Sequence, residues 1–82
     1  MSRLTERQAQ ILQMKARGYE TDEGILVRPT DKEIADILGL AESTVTNHLA
    51  RAYATLGVHD VTNAVLEAIA LGEIEVPEYP LW

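Results

Sequence analysis

Apolar side chains recur at helical spacing in four stretches of the chain. In the third stretch they fall at i, i+4, i+7, i+8 and i+11, the stripe of an amphipathic helix: Val45, Leu49, Ala52, Tyr53 and Leu56. The four stretches predict helices over residues of about 6–17, 31–38, 42–56 and 61–71. We therefore expect an all-α fold, built as one domain over residues 1–82.

The residues that flank these stretches are typical helix caps. Thr5-Glu6-Arg7-Gln8 and Thr30-Asp31-Lys32-Glu33 both fit the capping box, in which the first and fourth side chains bond to each other's backbone amides. Asp60 is a good N-cap for the last helix, whereas Ala41 is a poor one for the third. A glycine follows each helix and favours its termination: Gly18, Gly39, Gly57 and Gly72.

Two segments, residues 20–29 and the tail 73–82, fit no helix. Each holds one short run with strand character, Ile25-Leu26-Val27 in the first and Ile74-Glu75-Val76 in the second. A two-stranded ribbon is marginal by itself, so we expect these runs to form a small β-ribbon that lies on the helices. We expect the terminal stretch "YPLW" to pack on the core.

The last predicted helix is apolar almost all round, because between Ala64 and Leu71 only Glu67 is polar. Such a helix must be buried on more than one side. One side can face its own domain, and the simplest second surface is another copy of the chain. The pattern therefore predicts a homodimer, with an interface formed by Val65, Leu66, Ile69 and Leu71.

A chain of 82 residues has a small core, which favours tight packing or oligomerisation. The chain has no cysteine, so neither a disulfide nor a thiolate metal site can stabilise it. The polar start "MSRLTERQ" does not resemble a signal peptide, and no apolar run is long enough to cross a bilayer. We expect a cytoplasmic protein without a membrane partner.

The formal net charge of −6 is unevenly distributed. Residues 1–17 carry four basic residues and one acidic residue, whereas residues 57–82 carry five acidic residues and neither Lys nor Arg. The chain is therefore a dipole, whose first helix could approach a polyanion while its acidic end points away. Between Ile34 and Leu56 the only Lys or Arg is Arg51, so we expect few phosphate contacts and a shallow salt dependence.

The second and third helices are separated only by the short turn Gly39-Leu40-Ala41. Such a turn sets the steep angle of a helix-turn-helix, whose second helix can lie in the major groove of DNA; the alternative is an ordinary helical hairpin. The outer face of the third helix favours DNA, because its first half carries short, mostly hydrogen-bonding residues: Glu42, Ser43, Thr46, Asn47 and Ala50. Asn can pair with adenine, and Thr or Ala can contact a thymine methyl group.

These helices resemble the LuxR-type (GerE-type) helix-turn-helix family of bacterial regulators. The matching stretches are "LTERQAQILQMKARGY", "TDKEIADILGLAESTVTNHLARAYATLGV" and "VTNAVLEAIALGEI". The resemblance implies a dimer that binds double-stranded DNA, with the third helix in the major groove and the fourth at the dimer contact. In this interpretation the base contacts come from Ser43, Thr46, Asn47 and Ala50, and the backbone contacts from Thr30, Lys32, Thr44 and Arg51.

The chain departs from that family at the reading face and between the first two helices. The family usually has lysine at the position of Thr46 and often has basic residues at positions 50, 54 and 55, where this chain has Ala50, Ala54 and Thr55. The family also joins Tyr19 directly to Thr30, so residues 20–29 are an insertion. A comparable insertion occurs in region 4 of primary sigma factors. The fourth predicted helix of this chain, however, fits the sigma module poorly.

Two functions follow from these patterns. The first is a sequence-specific DNA-binding regulator of transcription, acting as a homodimer. The alternative is a sigma-region-4-like or protein-binding module that docks on RNA polymerase or inhibits another regulator. His48 and His59 are isolated, and no paired carboxylates or nucleophile constellation accompany them, so we expect no metal, no cofactor and no enzymatic activity.

Overall fold

The structure, a computed structural model, describes residues 3–77. It confirms an all-α fold with a small two-stranded sheet. The helices are α1 (Glu6–Arg17), α2 (Asp31–Leu38), α3 (Glu42–Leu56) and α4 (Val61–Ala70), and the strands are β1 (Tyr19–Glu20) and β2 (Leu26–Val27). α4 ends one residue earlier than the sequence predicts, at Ala70.

Side-chain caps fix where three of the helices begin. At α1, the Gln8 amide donates to Thr5 Oγ1 (3.1 Å) and the Thr5 amide donates to Gln8 Oε1 (3.2 Å). α2 repeats this capping box with Thr30 and Glu33, at 3.1 Å in both directions. At α4, Asp60 Oδ1 accepts from the Asn63 amide at 2.8 Å. α3 has no side-chain cap, so its position depends on packing.

That packing surrounds α3, which contacts α1, α2 and α4. The largest fully buried side chains come from all four helices: Ile11, Leu12, Ile34, Val45 and Val65. Burying one such side chain stabilises a fold by about 1.5–3 kcal/mol. The inner side of α3 is therefore fixed by its neighbours, and its outer side is left at the surface.

The small sheet is a hairpin formed by Tyr19 and the insertion that follows it. β1 pairs antiparallel with β2, with Tyr19 opposite Val27 and Glu20 opposite Leu26. The Thr21 amide donates to the Ile25 carbonyl at 2.8 Å, and Gly24 takes the turn position with a φ of +79°. The predicted pairing of the insertion with the tail is thus wrong, because the residues around Tyr19 provide a partner strand much closer along the chain.

The tail lies on α1 without forming a strand. The Gln13 side chain binds both backbone groups of Glu75, since Nε2 donates to the carbonyl at 3.0 Å and Oε1 accepts from the amide at 2.6 Å. Ile74 and Pro77 are buried. The tail is therefore attached up to residue 77, and the predicted packing of "YPLW" lies outside the described residues.

Within residues 3–77, no helix is both long enough and apolar enough to span a lipid bilayer.

Candidate nucleic-acid interface

The turn between α2 and α3 sets the direction of α3. Gly39 ends α2 in the left-handed conformation, with a φ of 70° and a ψ of 34°. The Leu40 amide then donates back to the Ala35 carbonyl at 2.9 Å, and Ala41 is extended before α3 starts. Ile34 of α2 and Val45 of α3 are both fully buried. This arrangement is that of a helix-turn-helix, in which the second helix presents its outer face to a groove.

The outer face of α3 is a continuous strip of small and polar side chains, the reading strip. All of its members are exposed: Glu42, Ser43, Thr46, Asn47, Ala50, Arg51 and Ala54. The opposite face is buried in the core through Val45, Leu49, Ala52 and Leu56. The structure thus brings the four predicted base-contacting residues onto one accessible face. Short side chains there would allow the helix backbone to approach base edges closely.

A shallow depression of about 180 Å³ lies on the flank of this strip. It is lined by Thr44, Asn47, His48 and Arg51. Two predicted backbone contacts, Thr44 and Arg51, therefore lie beside the predicted base contact Asn47. The depression also includes His48, whose position next to Arg51 suits a phosphate-side role.

The remaining predicted backbone contacts are at the start of α2. Lys32 is exposed, and Thr30 is exposed while its hydroxyl oxygen caps the helix. The first turn of a helix attracts anions through its free amides and dipole. Beside it, Tyr19 donates a hydrogen bond to Glu33 Oε2 at 2.5 Å, which attaches the hairpin to α2. This bond lowers the pKa of Glu33 and raises the pKa of Tyr19.

Thr46 is tied into a network that the sequence analysis did not predict. Its hydroxyl donates to Asp31 Oδ2 at 2.7 Å, while Lys15 Nζ lies 2.8 Å from Asp31 Oδ1. Lys15 also donates to the Pro29 carbonyl at 2.9 Å. Burial by itself would raise the pKa of Asp31, but the hydrogen bonds from Lys15 and Thr46 outweigh it and lower that pKa. The network joins α1, α2 and α3 at the edge of the reading strip.

These contacts reduce the number of basic side chains in and before α1 that are available to DNA phosphates. Lys15 is an ion-pair partner inside the fold, and the guanidinium of Arg3, which precedes α1, donates to the Thr55 carbonyl at 2.8 Å. Arg7 and Arg17 are exposed on α1. Sequence spacing gave no signal for the network, because residues 15, 31 and 46 belong to three different helices.

The predicted dimer surface on α4 is only partly accessible. Val65 is fully buried in the core of its own domain, so it is not accessible to a second copy of the chain. Ile69 is partly buried and packs on the core as well. Leu66 and Leu71 are 45% and 43% exposed. The apolar surface that α4 leaves open is therefore centred on Leu66 and Leu71.

Comparison with known proteins identifies relatives among bacterial regulators. Residues 29–68 match the family described as bacterial regulatory proteins, luxR family. The spore germination protein GerE of Bacillus subtilis (strain 168) is 40% identical over 60 residues, which are 73% of this chain and 81% of GerE. A solved structure of the transcription factor GerE superimposes with a TM-score of 0.74 at 33% identity, and covers 93% of this chain and 98% of that chain.

Longer regulators share only this domain. The quorum sensing-dependent transcriptional regulator VjbR of Brucella abortus (strain 2308) is 38% identical over 77 residues, 94% of this chain but 26% of VjbR. The transcriptional regulatory protein DegU of Brevibacillus brevis is 32% identical over 73 residues, 89% of this chain and 27% of DegU. The chain thus spans about a quarter of these two relatives and most of GerE.

Proposed function

The chain belongs to the luxR family of bacterial regulatory proteins, and from this premise we propose that it binds specific DNA sequences as a homodimer. As a member of a family of transcription regulators, it is a regulator and not an enzyme. In the proposal, α3 enters the major groove and the start of α2 lies against the phosphate backbone. The protein would act in the cytoplasm, where a bacterial cell keeps its DNA.

One observation carries the proposal. After the helix-turn-helix turn at Gly39, the outward positions on the first half of α3 are all exposed, and four of the five bear short side chains: Ser43, Thr46, Asn47 and Ala50. A solvated helix surface with no ligand usually carries long Lys and Glu side chains. Short hydrogen-bonding side chains are instead suited to base edges in the major groove.

The homodimer is supported by the accessible part of α4. Leu66 and Leu71 are each more than two-fifths exposed, although both are large and apolar. A second copy packed on them would remove this surface from water. It would also double the number of base and phosphate contacts, which a chain with so few basic residues on α3 needs for tight binding.

A selection of random duplexes by the purified protein tests this function. At low salt we expect enrichment of one sequence that contains two related half-sites, spaced about one helical turn or a multiple of it apart. A second selection at higher salt should keep the same bases, because base contacts depend less on counterions than phosphate contacts do. Failure to enrich any sequence at low salt contradicts the proposal.

The alternative function, binding to another protein, is favoured by one feature of the insertion. The hairpin exposes Ile25 (58%) and Leu26 (40%) and also carries the acidic residues Glu20, Asp22 and Glu23. DNA would not attract such a surface, whereas a basic and apolar protein surface would. If no duplex is selected, binding of the chain to RNA polymerase and to purified regulators of the same family becomes the decisive measurement.

A further inference from the structure

We propose that Asp31 sets the base preference of the reading helix by holding the hydroxyl proton of Thr46, so that Thr46 acts toward DNA only as a hydrogen-bond acceptor. The base that it faces must then offer an exocyclic amino group, which restricts the choice to adenine or cytosine. The inference rests on the proposed function, because it requires α3 to lie in the major groove. In this role Asp31 is a positioning residue, since it acts through Thr46.

The direction of the bond between the two side chains follows from their chemistry. Thr46 Oγ1 and Asp31 Oδ2 are 2.7 Å apart. An ionised carboxylate has no proton to give, whereas a hydroxyl group has one proton and two acceptor lone pairs. The Thr46 proton therefore lies on the line toward Asp31. Bonds of this kind, from a neutral hydroxyl to a charged oxygen, are short and strong compared with bonds between neutral groups.

The carboxylate is also held in place from its other side. Lys15 Nζ lies 2.8 Å from Asp31 Oδ1, and the two side chains are 13% and 25% exposed. Lys15 is itself fixed by its bond to the Pro29 carbonyl at 2.9 Å. Asp31 thus cannot turn away without breaking an ion pair that is largely shielded from water. The acceptor for the Thr46 proton is a built part of the fold and is present before DNA binds.

What Thr46 has left for a ligand is a methyl group and the free lone pairs of its oxygen. Thr46 is exposed on the reading strip next to Asn47. In the major groove adenine and cytosine present amino donors, whereas guanine and thymine present carbonyl acceptors at the corresponding positions. A threonine with a free proton can bond to either kind of group. A threonine whose proton is occupied repels the carbonyl groups and accepts from the amino groups.

The test uses the sequence selected by the wild-type protein and four duplexes that differ at one base pair. That pair is identified as the one whose preference disappears in Thr46→Val, which keeps the shape and removes the hydroxyl group. Binding is measured by fluorescence anisotropy. We expect the wild-type protein to bind the adenine or cytosine duplex about three- to tenfold more tightly than the guanine or thymine duplex, the effect of one hydrogen bond. Thr46→Ser should keep this preference, because it keeps the hydroxyl group.

Asp31→Asn is the decisive variant. Its amide can donate to the Thr46 oxygen, which frees the hydroxyl proton for DNA, so the preference should move toward guanine or thymine. Lys15→Met is the matched control, because it breaks the same ion pair but leaves the carboxylate to take the Thr46 proton. It should keep the wild-type preference. Thermal unfolding of each variant shows that the compared proteins are folded.

Several results would overturn the inference while leaving the proposed function intact. They are a wild-type preference for guanine or thymine at this pair, a preference that survives in Thr46→Val, an Asp31→Asn profile identical to that of the wild type, and the same shift in Lys15→Met. If Asp31→Asn does not fold, a wild-type preference for guanine or thymine, or a preference that survives in Thr46→Val, still overturns the inference. Failure of the wild-type protein to select any duplex would instead contradict the function itself.

Discussion

Asn47 and Thr46 are neighbours on the reading strip, but the protein constrains them differently. Thr46 is bound to Asp31. The Asn47 side chain is exposed and makes no hydrogen bond within residues 3–77, so its amide group can offer both a donor and an acceptor to one base. That pair of groups matches adenine. Asn47 is therefore the residue whose loss should affect base preference most directly.

Substitution of Asn47 and Arg51 should separate base contacts from phosphate contacts. We expect Asn47→Ala to weaken binding to the best site by about 1–3 kcal/mol and to relax the preference at one base pair. Arg51→Ala should weaken all sequences about equally and reduce the slope of log K against log salt by about 1 per subunit. Anisotropy titrations on matched and mismatched duplexes at several salt concentrations measure both effects. Equal losses on every duplex for Asn47→Ala would contradict its role as a base contact.

The reading strip shows which part of a site can be predicted from sequence. Helical spacing places Ser43, Thr46, Asn47 and Ala50 on one face, and the structure has them there. Spacing within one helix gives no information about partners on other helices. The bond of Thr46 to Asp31, and the ion pair behind it, depend on how α1, α2 and α3 cross, so they emerged only with the fold.

The two segments outside the helices show the same limit for strands. The sequence predicts a strand over Ile25-Leu26-Val27, and the structure has one at Leu26–Val27, but with a different partner. Pairing with β1 requires closing only a short loop, whereas pairing with the tail would have meant crossing the whole domain. Both backbone groups of Glu75 in the tail are instead bound by the Gln13 side chain, a contact that no strand pattern could indicate.

α4 divides its apolar residues between two sides. Ala64, Val65 and Ala68 are fully buried and face the domain, whereas Leu66, together with Leu71 just after the helix, faces outward. The prediction that this helix cannot bury all its apolar residues in one core therefore holds for two leucines. Leu66 belongs to this outer side, so a charge placed there would fall within the proposed contact.

Leu66→Glu should convert the proposed homodimer into monomers, because a carboxylate without a partner would be buried at the contact. Sedimentation velocity across micromolar concentrations measures the association. Ala54→Glu is the control, since it adds the same charge at an exposed position on a different helix, α3. It should leave the association unchanged. A wild-type protein that remains monomeric throughout this range would rule out the interface.

Over the whole molecule, several acidic side chains stabilise the fold through hydrogen bonds and an ion pair. The chain has 13 acidic residues and 7 Lys and Arg. Bonds to the Asn63 backbone amide and side chain lower the pKa of Asp60, and the bonds to Lys15 and Thr46 outweigh burial and lower the pKa of Asp31. Hydrogen bonds from Tyr19 and Thr30 lower the pKa of Glu33. The acidic composition is thus used at the starts of α2 and α4.

These lowered pKa values predict a loss of stability in acid. A carboxyl group whose pKa is lower in the folded state makes its full contribution to stability when the pH is above its pKa in the unfolded chain, which is about 4. That contribution is lost as the pH falls below this value and through the folded pKa. The positive charges of the seven Lys and Arg then face fewer negative charges and repel one another. Urea unfolding followed by circular dichroism at stepped pH measures this effect. The free energy of unfolding should be nearly constant above roughly pH 5, where carboxyl groups are ionised, and should fall steeply below that pH.

Asp60→Asn is the variant that identifies the carboxylate as the cause. Asparagine caps a helix about as well as aspartate does, so stability near neutral pH should change little. Because the variant has no charge to lose at this position, its free energy of unfolding should fall less steeply in acid than that of the wild type. Asp31→Asn should also flatten the acid profile, but it should lower stability near neutral pH because Lys15 loses its partner. If the Asp60→Asn profile follows the wild type at every pH, the acid sensitivity arises elsewhere in the chain, and the cap contributes through its shape and not its charge.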